Sequence, residues 1–339
     1  MDAQRKRCAI GRNKDAGPAT GDDAPPRDTS GRVRDTARPE VTPQARFEPS
    51  AALRRPSDFV KSLAQKFESG RVNPRTQKVE PRPLKRDQAL FIARFADACN
   101  AVWDDEQRIK DGSLSVRKRR TFNFLLMGQG GSGKTALVQE IVLPAMDALF
   151  PQEPPAGKST LVVCAKWSQA ANISTDEHRA VSCHRAAVLG VQSLRNRDML
   201  AQGKRTALQQ TWEPVRCLIV EEVSMISPGL YNMVAYRSFL GRADRWEVEE
   251  RVYDQLEGAF GRMPLVIHLG DFLQLKPTGG RVSLISDFRV LADAGVEMAP
   301  EHQAVMKLFC RTPLCFELQA SNRFKDSKLC DLLNFMRKP

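Results

Sequence analysis

Continuous apolar runs alternate along the chain with segments whose apolar residues recur at helical spacing. A strand that is covered on both faces of a sheet is apolar throughout, so we interpret these runs as buried strands. The runs are residues 122–127, 161–165, 217–220, 265–269 and 314–318. Residues 88 to about 109 have helical spacing and predict a long helix. This alternation predicts an α/β fold with a mostly parallel sheet flanked by helices.

The first apolar run leads into a glycine-rich loop. Residues 128–135 match the pattern G-x-x-x-x-G-K-[ST] in full, and an amphipathic helix follows. Such glycines let backbone N–H groups turn toward phosphate oxygens. Lys134 would reach the β- and γ-phosphates of a nucleotide, and Thr135 would place its hydroxyl on Mg²⁺. The predicted binding residues are Gly128, Gly130, Gly131, Ser132, Gly133, Lys134 and Thr135. The alternative is a glycine-rich turn that binds nothing.

Two acidic residues, Glu221 and Glu222, end the apolar run at residues 217–220. An apolar strand that ends in paired acids is typical of the element that binds Mg²⁺ and activates water in P-loop ATPases. We predict that Glu221 lies near the metal and that Glu222 acts as the general base on the attacking water. The alternative is a pair of surface acids at the end of a strand.

The apolar run at residues 265–269 is followed by Gly270, Asp271 and, three residues later, Gln274. This spacing predicts an amide beside the γ-phosphate, where Gln274 would distinguish a nucleotide triphosphate from a diphosphate. The alternative is an ordinary transition from strand to loop.

Taken together, these motifs resemble those of the RecD-like branch of superfamily-one DNA helicases, close to the petite-integration-frequency helicases. The second motif of that branch commonly reads D-E-x-S-M, and residues 221–225 match it except for the glutamate at 221. The third motif, G-D-x-x-Q-L-x-P, is matched in full by residues 270–277. Residues 318–323 resemble the fourth motif, which implies that Arg323 contacts the γ-phosphate and stabilises the transition state.

Two weaker matches concern the adenine base and DNA. Residues 84–88 look like the family's adenine-reading element, which implies that Gln88 binds the base. Residues 165–184 include a segment similar to the region that contacts single-stranded DNA, although the usual Pro-Thr-Gly is missing. The resemblance implies that Trp167 and His184 contact unpaired DNA. The alternatives are a surface helix position for Gln88, core packing for Trp167 and a satisfied buried imidazole for His184.

The resemblance covers about residues 84–339. It implies a RecA-like P-loop ATPase domain that uses ATP and Mg²⁺, binds single-stranded DNA or DNA junctions and couples hydrolysis to unwinding. We find no second RecA-like domain in the sequence. Our hypothesis is therefore that the chain binds ATP and Mg²⁺ but unwinds DNA only when a partner or a further segment supplies that domain. The alternatives are a truncated or decayed ATP- and DNA-binding module that does not unwind DNA, and a P-loop kinase, against which residues 270–277 argue.

The net charge is +12, and almost all of this excess precedes residue 121. Residues 1–83 are rich in Pro and Arg, and we predict a disordered basic arm with a short helix at residues 57–70. The arm would bind nucleic acid or another polyanion, or would be a solvated tail. The basic run at residues 117–120 would contact phosphates, signal nuclear import or form a solvated flank.

No apolar run is long enough to span a membrane. The 8 cysteines form no C-x-x-C pair, which argues against zinc and suits a reducing compartment. We therefore expect an intracellular protein without a membrane partner, and the resemblance points to nuclear or mitochondrial DNA.

Overall fold

The computed structural model describes residues 55–72, 77–151, 158–189, 202–242, 259–274, 277, 282–311 and 314–318. Most of the predicted basic arm, up to residue 54, lies outside these residues, and so does Arg323.

A six-stranded sheet forms the centre of the fold, and all of its strand pairs are parallel. Its order is β5-β4-β6-β7-β3-β8, and a separate antiparallel pair joins β1 to β2. The strands are β1 (Arg71–Val72), β2 (Val79–Glu80), β3 (Phe122–Gly128), β4 (Thr160–Cys164), β5 (Val181–Ser182), β6 (Cys217–Glu221), β7 (Leu265–Gly270) and β8 (Leu314–Leu318). The five predicted strands are present within one or two residues of their expected ends. Strands β1, β2 and β5 have two residues each, too few for a recognisable pattern.

Helices cover both faces of this sheet, so the predicted α/β architecture of the RecA-like type is confirmed. The helices are α1 (Pro56–Ser69), α2 (Arg86–Lys110), α3 (Lys134–Leu137), α4 (Leu143–Leu149), α5 (Trp167–Ile173), α6 (Cys183–Ala186), α7 (Gln202–Trp212), α8 (Pro228–Gly241), α9 (Phe288–Asp293) and α10 (Pro300–Arg311). A π-helical turn at Val138–Val142 joins α3 to α4. Pro144 has no N–H for a helical hydrogen bond, and the wider turn accommodates that missing donor. No helix in the described part of the chain is long and apolar enough to cross a membrane.

Helices α1, α2 and α4 pack on one face of the sheet. Val60 and Phe67 of α1 are buried in the same core as Phe91 of α2 and Phe124 of β3. The Phe91 and Phe124 rings meet edge to face with their centroids 5.9 Å apart. Helix α1 occupies the region predicted for a short helix, and the apolar core therefore includes residues that precede Leu84.

Helix α8 lies on the opposite face, and every residue of this helix except Gly229 is buried. Tyr231 donates a hydrogen bond to His268 Nε2 (2.8 Å), and His268 Nδ1 donates to the Phe124 carbonyl (3.1 Å). Burial lowers the pKa of His268 to about 4, so the ring is neutral. The pair fixes α8 to β7 and β3.

A buried ion network closes the amino-terminal edge of the sheet. Glu106 of α2 contacts Arg119 (2.8 Å) and Arg216 (3.1 Å), which precede β3 and β6. Burial alone would raise the pKa of Glu106, but the two arginines bring it below its ordinary value. Arg120 pairs with the nearly buried Asp105 at 2.8 Å. Arg119 and Arg120, two of the four basic residues at 117–120, thus hold α2 to the sheet. This segment is therefore not a wholly solvated flank.

We expect Glu106→Gln to lower the free energy of unfolding by about 3–5 kcal/mol, because it leaves the buried Arg119 without its counter-charge. Urea denaturation of the full chain measures this loss. Asp97→Asn is the matched control, since the Arg94–Asp97 pair is exposed and 4.0 Å long. The control should lose less than about 1 kcal/mol, and equal losses in the two variants would contradict a structural role for the network.

Candidate nucleotide and DNA site

The P-loop connects the end of β3 to the start of α3, and its glycines are required by close contacts. Gly133 has φ of 94°, and an added Cβ would lie 2.7 Å from Gln88 Nε2. An added Cβ on Gly128 would lie 2.6 Å from the Leu318 carbonyl oxygen of the neighbouring β8. Any larger residue at these two positions would push the loop away from α2 or β8. The loop is therefore held between these two elements.

Lys134 folds back over this loop. Its Nζ donates to the carbonyls of Gly128 (2.5 Å) and Gln129 (3.2 Å). Burial raises the pKa of Glu221 and of Glu222, and the same ammonium opposes both rises, so it lies near the end of β6. Thr135 follows on the first turn of α3 and is half-buried. Lys134 and Thr135 are therefore adjacent at the start of α3, beside the loop that is predicted to bind phosphate.

Gln88 is buried behind the loop, and both ends of its amide are engaged. Its Nε2 donates to the Ser132 carbonyl (2.9 Å), and its Oε1 accepts from the Lys85 backbone N–H (3.0 Å). The alternative of a surface helix position is wrong, because only 3% of Gln88 is exposed. The residue ties the first turn of α2 to the P-loop, beside the position predicted for a bound nucleotide. An adenine-reading role stays a prediction.

Glu221 ends β6 in an almost fully buried position. Its Oε2 atom has no hydrogen-bond partner among the described residues. Burial, followed by repulsion from Glu222, raises the pKa of Glu221 to about 7, and Lys134 opposes this rise. A buried carboxylate oxygen without a donor is the group that a cation would satisfy. Glu221 therefore has the surroundings of a metal ligand.

Glu222 is held in an unusual backbone conformation. Its φ of 51° and ψ of 49° are left-handed, which non-glycine residues adopt rarely and mostly where function requires it. The side chain is half-buried, and burial with Asp271 nearby raises its pKa while Lys134 lowers it. A carboxylate with a raised pKa is better able to accept a proton near neutral pH.

Asp271 is a site residue to which the sequence analysis assigned no role. It follows β7 and is 2% exposed. Its Oδ2 accepts a hydrogen bond from Gln274 Nε2 (2.9 Å), and its Oδ1 accepts one from the Leu273 backbone (3.1 Å). Asp271 thus orients Gln274 and adds negative charge beside Glu222. The signal in the sequence was an acid directly after a buried strand, as at Glu221.

The parallel pairing brings these groups to one edge of the sheet. Strand β7 lies between β3 and β6, and Met127 of β3 pairs with Gly270 of β7. An added Cβ on Gly270 would lie 3.0 Å from Val223, so β7 passes directly against the turn that follows Glu222. The hydroxyls of Ser132 and Ser224 are also buried without a hydrogen-bond partner among the described residues. The donors and acceptors fit a phosphate and a hard cation.

Trp167 and His184 lie at this same edge, after the neighbouring strands. Trp167 is the first residue of α5, which follows β4 in the chain, and His184 lies in α6, which follows β5. Trp167 is 64% exposed, which rules out core packing, and His184 is half-buried. A cavity of about 340 Å³ lies between Trp167 and Arg179. Contact with DNA stays a prediction for both residues.

No protein-family model and no curated protein sequence matches the chain. The chain is similar to Pif1 helicases of known structure. For Pif1 from Candida albicans the identity is 18% and the TM-score 0.47, over 76% of this chain and 44% of that chain. For Bacteroides sp Pif1 with ADP-AlF4 the identity is 18% and the TM-score 0.44, over 76% and 46%.

A third similar structure describes DNA unwinding at forked dsDNA by two coordinating Pif1 helicases. Its identity is 18% and its TM-score 0.43, over 76% of this chain and 48% of that chain. The chain spans less than half the length of these solved chains.

We expect Glu221→Gln to stabilise the protein at alkaline pH. The folded chain binds the proton of Glu221 more tightly than the unfolded chain, so this contribution to stability is complete below about pH 4.5 and lost as the pH rises through about 7. The amide of glutamine resembles the protonated carboxyl and does not ionise, so the variant keeps this contribution at high pH. Its free energy of unfolding should exceed that of the native protein by up to roughly 3 kcal/mol near pH 8. Chemical denaturation near pH 5 and pH 8, without nucleotide or Mg²⁺, measures the difference.

The exposed Glu297 provides the control for this experiment. Glu297→Gln should change stability little at either pH. A stabilisation by Glu221→Gln that is larger near pH 5 than near pH 8 would show that the pKa of Glu221 is not raised.

Proposed function

We propose that this chain is the ATP-binding, RecA-like domain of a DNA helicase of the RecD-like, petite-integration-frequency type. The observation that carries the proposal is the convergence of Lys134, the Glu221–Glu222 pair and the Asp271–Gln274 pair at the carboxyl edge of one parallel sheet. A P-loop alone would support any nucleotide-binding function. The presence of all three motifs in this order along the chain supports ATP hydrolysis that is coupled to the movement of a binding partner.

Each residue has a role that follows from its position. The P-loop backbone and Lys134 bind the phosphates of ATP, and Gln88 supports the loop from behind. Thr135 and Glu221 are the residues that would hold Mg²⁺. When bound, this ion neutralises phosphate charge and orients the β- and γ-phosphates. Glu222 accepts a proton from the attacking water, and Gln274, oriented by Asp271, faces the γ-phosphate.

The exposed Trp167 supports the DNA-binding part of the proposal. An exposed indole on a basic protein provides a stacking platform for an unpaired base. Gln169 lies two residues after Trp167 in α5, and its Nε2 donates a hydrogen bond to Met225 Sδ (2.8 Å). Met225 ends the short turn that follows Glu222. This contact links the proposed DNA-binding helix to the turn that follows the proposed catalytic base.

Unwinding would need a second RecA-like domain that closes against this one when ATP binds. We propose that this domain is supplied in trans or by a further part of the protein, and that Arg323 contributes the γ-phosphate contact. Stepping along a strand requires two such domains to open and close in turn, whereas one domain provides half of the nucleotide site.

A module that binds ATP and DNA without hydrolysis is the second candidate. The glutamate at position 221 favours it, because the motif that residues 221–225 resemble commonly has aspartate there. The two candidates differ in a single measurable property, the rate of ATP hydrolysis.

We expect purified full-length protein to hydrolyse ATP faster with single-stranded DNA than without it. Glu222→Gln should reduce the rate at least about 100-fold while ATP still binds, because it removes the proton acceptor alone. Lys134→Ala should abolish both hydrolysis and ATP binding. Glu297→Gln is the control and should match the native protein.

Phosphate release measures the hydrolysis rate, and fluorescent-nucleotide titration measures ATP binding. The binding module would be favoured by two results together. The native chain would bind ATP without hydrolysing it, and Lys134→Ala would abolish that binding. Full hydrolysis by Glu222→Gln would refute the assignment of the base.

We expect Trp167→Ala to weaken binding of single-stranded DNA by about 1–3 kcal/mol, the contribution of one stacked base. Trp167→Phe keeps an aromatic ring and should restore most of the affinity. Fluorescence anisotropy of a labelled oligonucleotide at fixed salt measures both variants. Unchanged affinity in Trp167→Ala, with unchanged stability, would exclude this side chain as a DNA contact.

A further inference from the structure

Three potential metal ligands from two separate segments meet near the amino-terminal end of β4. Asp147 lies in α4, and Glu177 and His178 lie in the turn between α5 and β5. One ligand atom from each residue lies within 4.8 Å of the others. We propose that these three side chains bind a divalent transition-metal ion, of which Zn²⁺ is the representative.

The carboxylate of Asp147 has a buried oxygen that needs a partner. The side chain is 8% exposed, and its Oδ1 lies 3.0 Å from His178 Nε2. Its Oδ2 is buried and accepts no hydrogen bond from any described residue, and the Lys158 ammonium lies 4.0 Å from it. A buried acceptor without a donor destabilises the fold, and more so when the group is charged. A bound cation would satisfy this oxygen directly.

His178 is already oriented toward the proposed ion. Its backbone N–H donates to Thr175 Oγ1 (3.0 Å), and its carbonyl accepts from the Thr175 N–H (2.8 Å). The residue is 5% exposed, so this turn and its surroundings fix the ring against Asp147. A metal ion at this position would take the place of the hydrogen bond between the His178 ring and Asp147.

The surroundings provide room to complete the coordination. A cavity of about 340 Å³ is lined by Lys158, Thr160, Glu177 and His178, and another of about 240 Å³ also borders Glu177 and His178. The Thr160 hydroxyl is buried and has no partner among the described residues. Both spaces can hold water molecules, which complete the shell when a protein supplies three ligands.

The ligand chemistry favours a transition metal over Mg²⁺. An imidazole with two carboxylates suits Zn²⁺, whereas Mg²⁺ prefers oxygen ligands alone. Bonds of about 2.0–2.2 Å in a tetrahedral site place ligand atoms roughly 3.3 Å apart. Asp147 Oδ1 and His178 Nε2 lie 3.0 Å apart, close to this spacing, and one ligand atom of Glu177 lies within 4.8 Å of those of the other two residues. The cysteine pattern argued against zinc, but this set contains no cysteine.

This ion would be separate from the Mg²⁺ of the nucleotide. Strand β4 extends from Thr160, beside the proposed site, to Cys164, which pairs with Glu221. That length is about 13 Å. The ion would join α4, which continues from the P-loop helix, to the turn that follows α5.

The test is a Zn²⁺ titration of the chelator-treated full chain by calorimetry, without nucleotide or Mg²⁺. We expect one Zn²⁺ per chain and a rise in melting temperature on binding. Glu177→Gln should weaken binding at least about tenfold, since loss of even an outer-shell partner weakens metal sites by about 10- to 100-fold. His178→Gln should do the same. Substituted Co²⁺ should show the strong visible absorption of a tetrahedral site.

Asp176→Asn is the matched control, because Asp176 is exposed and lines the same two cavities but lies outside the ligand set. It should bind Zn²⁺ like the native chain. Glu177 is exposed, so its substitution should leave the fold intact. Failure to bind Zn²⁺, or equal affinity in the native chain, Glu177→Gln and His178→Gln, would overturn the proposal. Equal affinity would indicate an adventitious ion only, held for example by the exposed Cys310.

Discussion

Three carboxylates and one ammonium share the carboxyl edge of the sheet, and this imbalance of charge governs the site. Glu221 and Glu222 lie near Lys134, and the buried Asp271 lies near Glu222. Burial, followed by repulsion from Glu222, raises the pKa of Glu221 to about 7, and the single positive charge of Lys134 opposes this rise only in part. Such a cluster opposes folding, but it favours any ligand that brings positive charge. Nucleotide with Mg²⁺ is the ligand that would relieve the imbalance.

Only a rigid scaffold can hold like charges this close together. Parallel strands place their carboxyl ends on one edge, and the central position of β7 brings the P-loop and the paired acids to either side of Asp271. The left-handed conformation of Glu222 is kept by the turn at Val223–Met225, which packs against Gly270. At the other edge of the sheet, the Glu106 network holds α2 and the strand starts in register. The rest of the fold therefore maintains the strained backbone conformation of Glu222 at the site.

The sequence predicts those parts of the fold that local pattern determines. Strands β4, β6 and β7 are largely buried, and the P-loop is a local motif with local glycine requirements. The edge strand β8 was expected to be buried as well, but Leu314, Cys315 and Glu317 are exposed. The burial of α8 was not predictable from its moderate hydrophobicity, because the partners of Tyr231 and its neighbours come from β3 and β7. The contacts of Gln88 and Arg119 depend on residues far away in the chain, and no spacing rule reveals them.

The contact between Gln169 and Met225 sets a limit on how strongly the described domain can couple DNA to catalysis. Gln169 also accepts a hydrogen bond from the Lys166 backbone at the start of α5, so its amide moves with the helix that carries Trp167. A neutral hydrogen bond contributes about 0.5–1.5 kcal/mol, and a thioether sulfur is a weak acceptor. That free energy corresponds to a change of about 2- to 12-fold in an equilibrium. Stimulation of hydrolysis by DNA beyond that range would require groups outside this contact. A γ-phosphate contact from Arg323 and a second domain closing over the nucleotide are the groups that the proposed function assigns to that task.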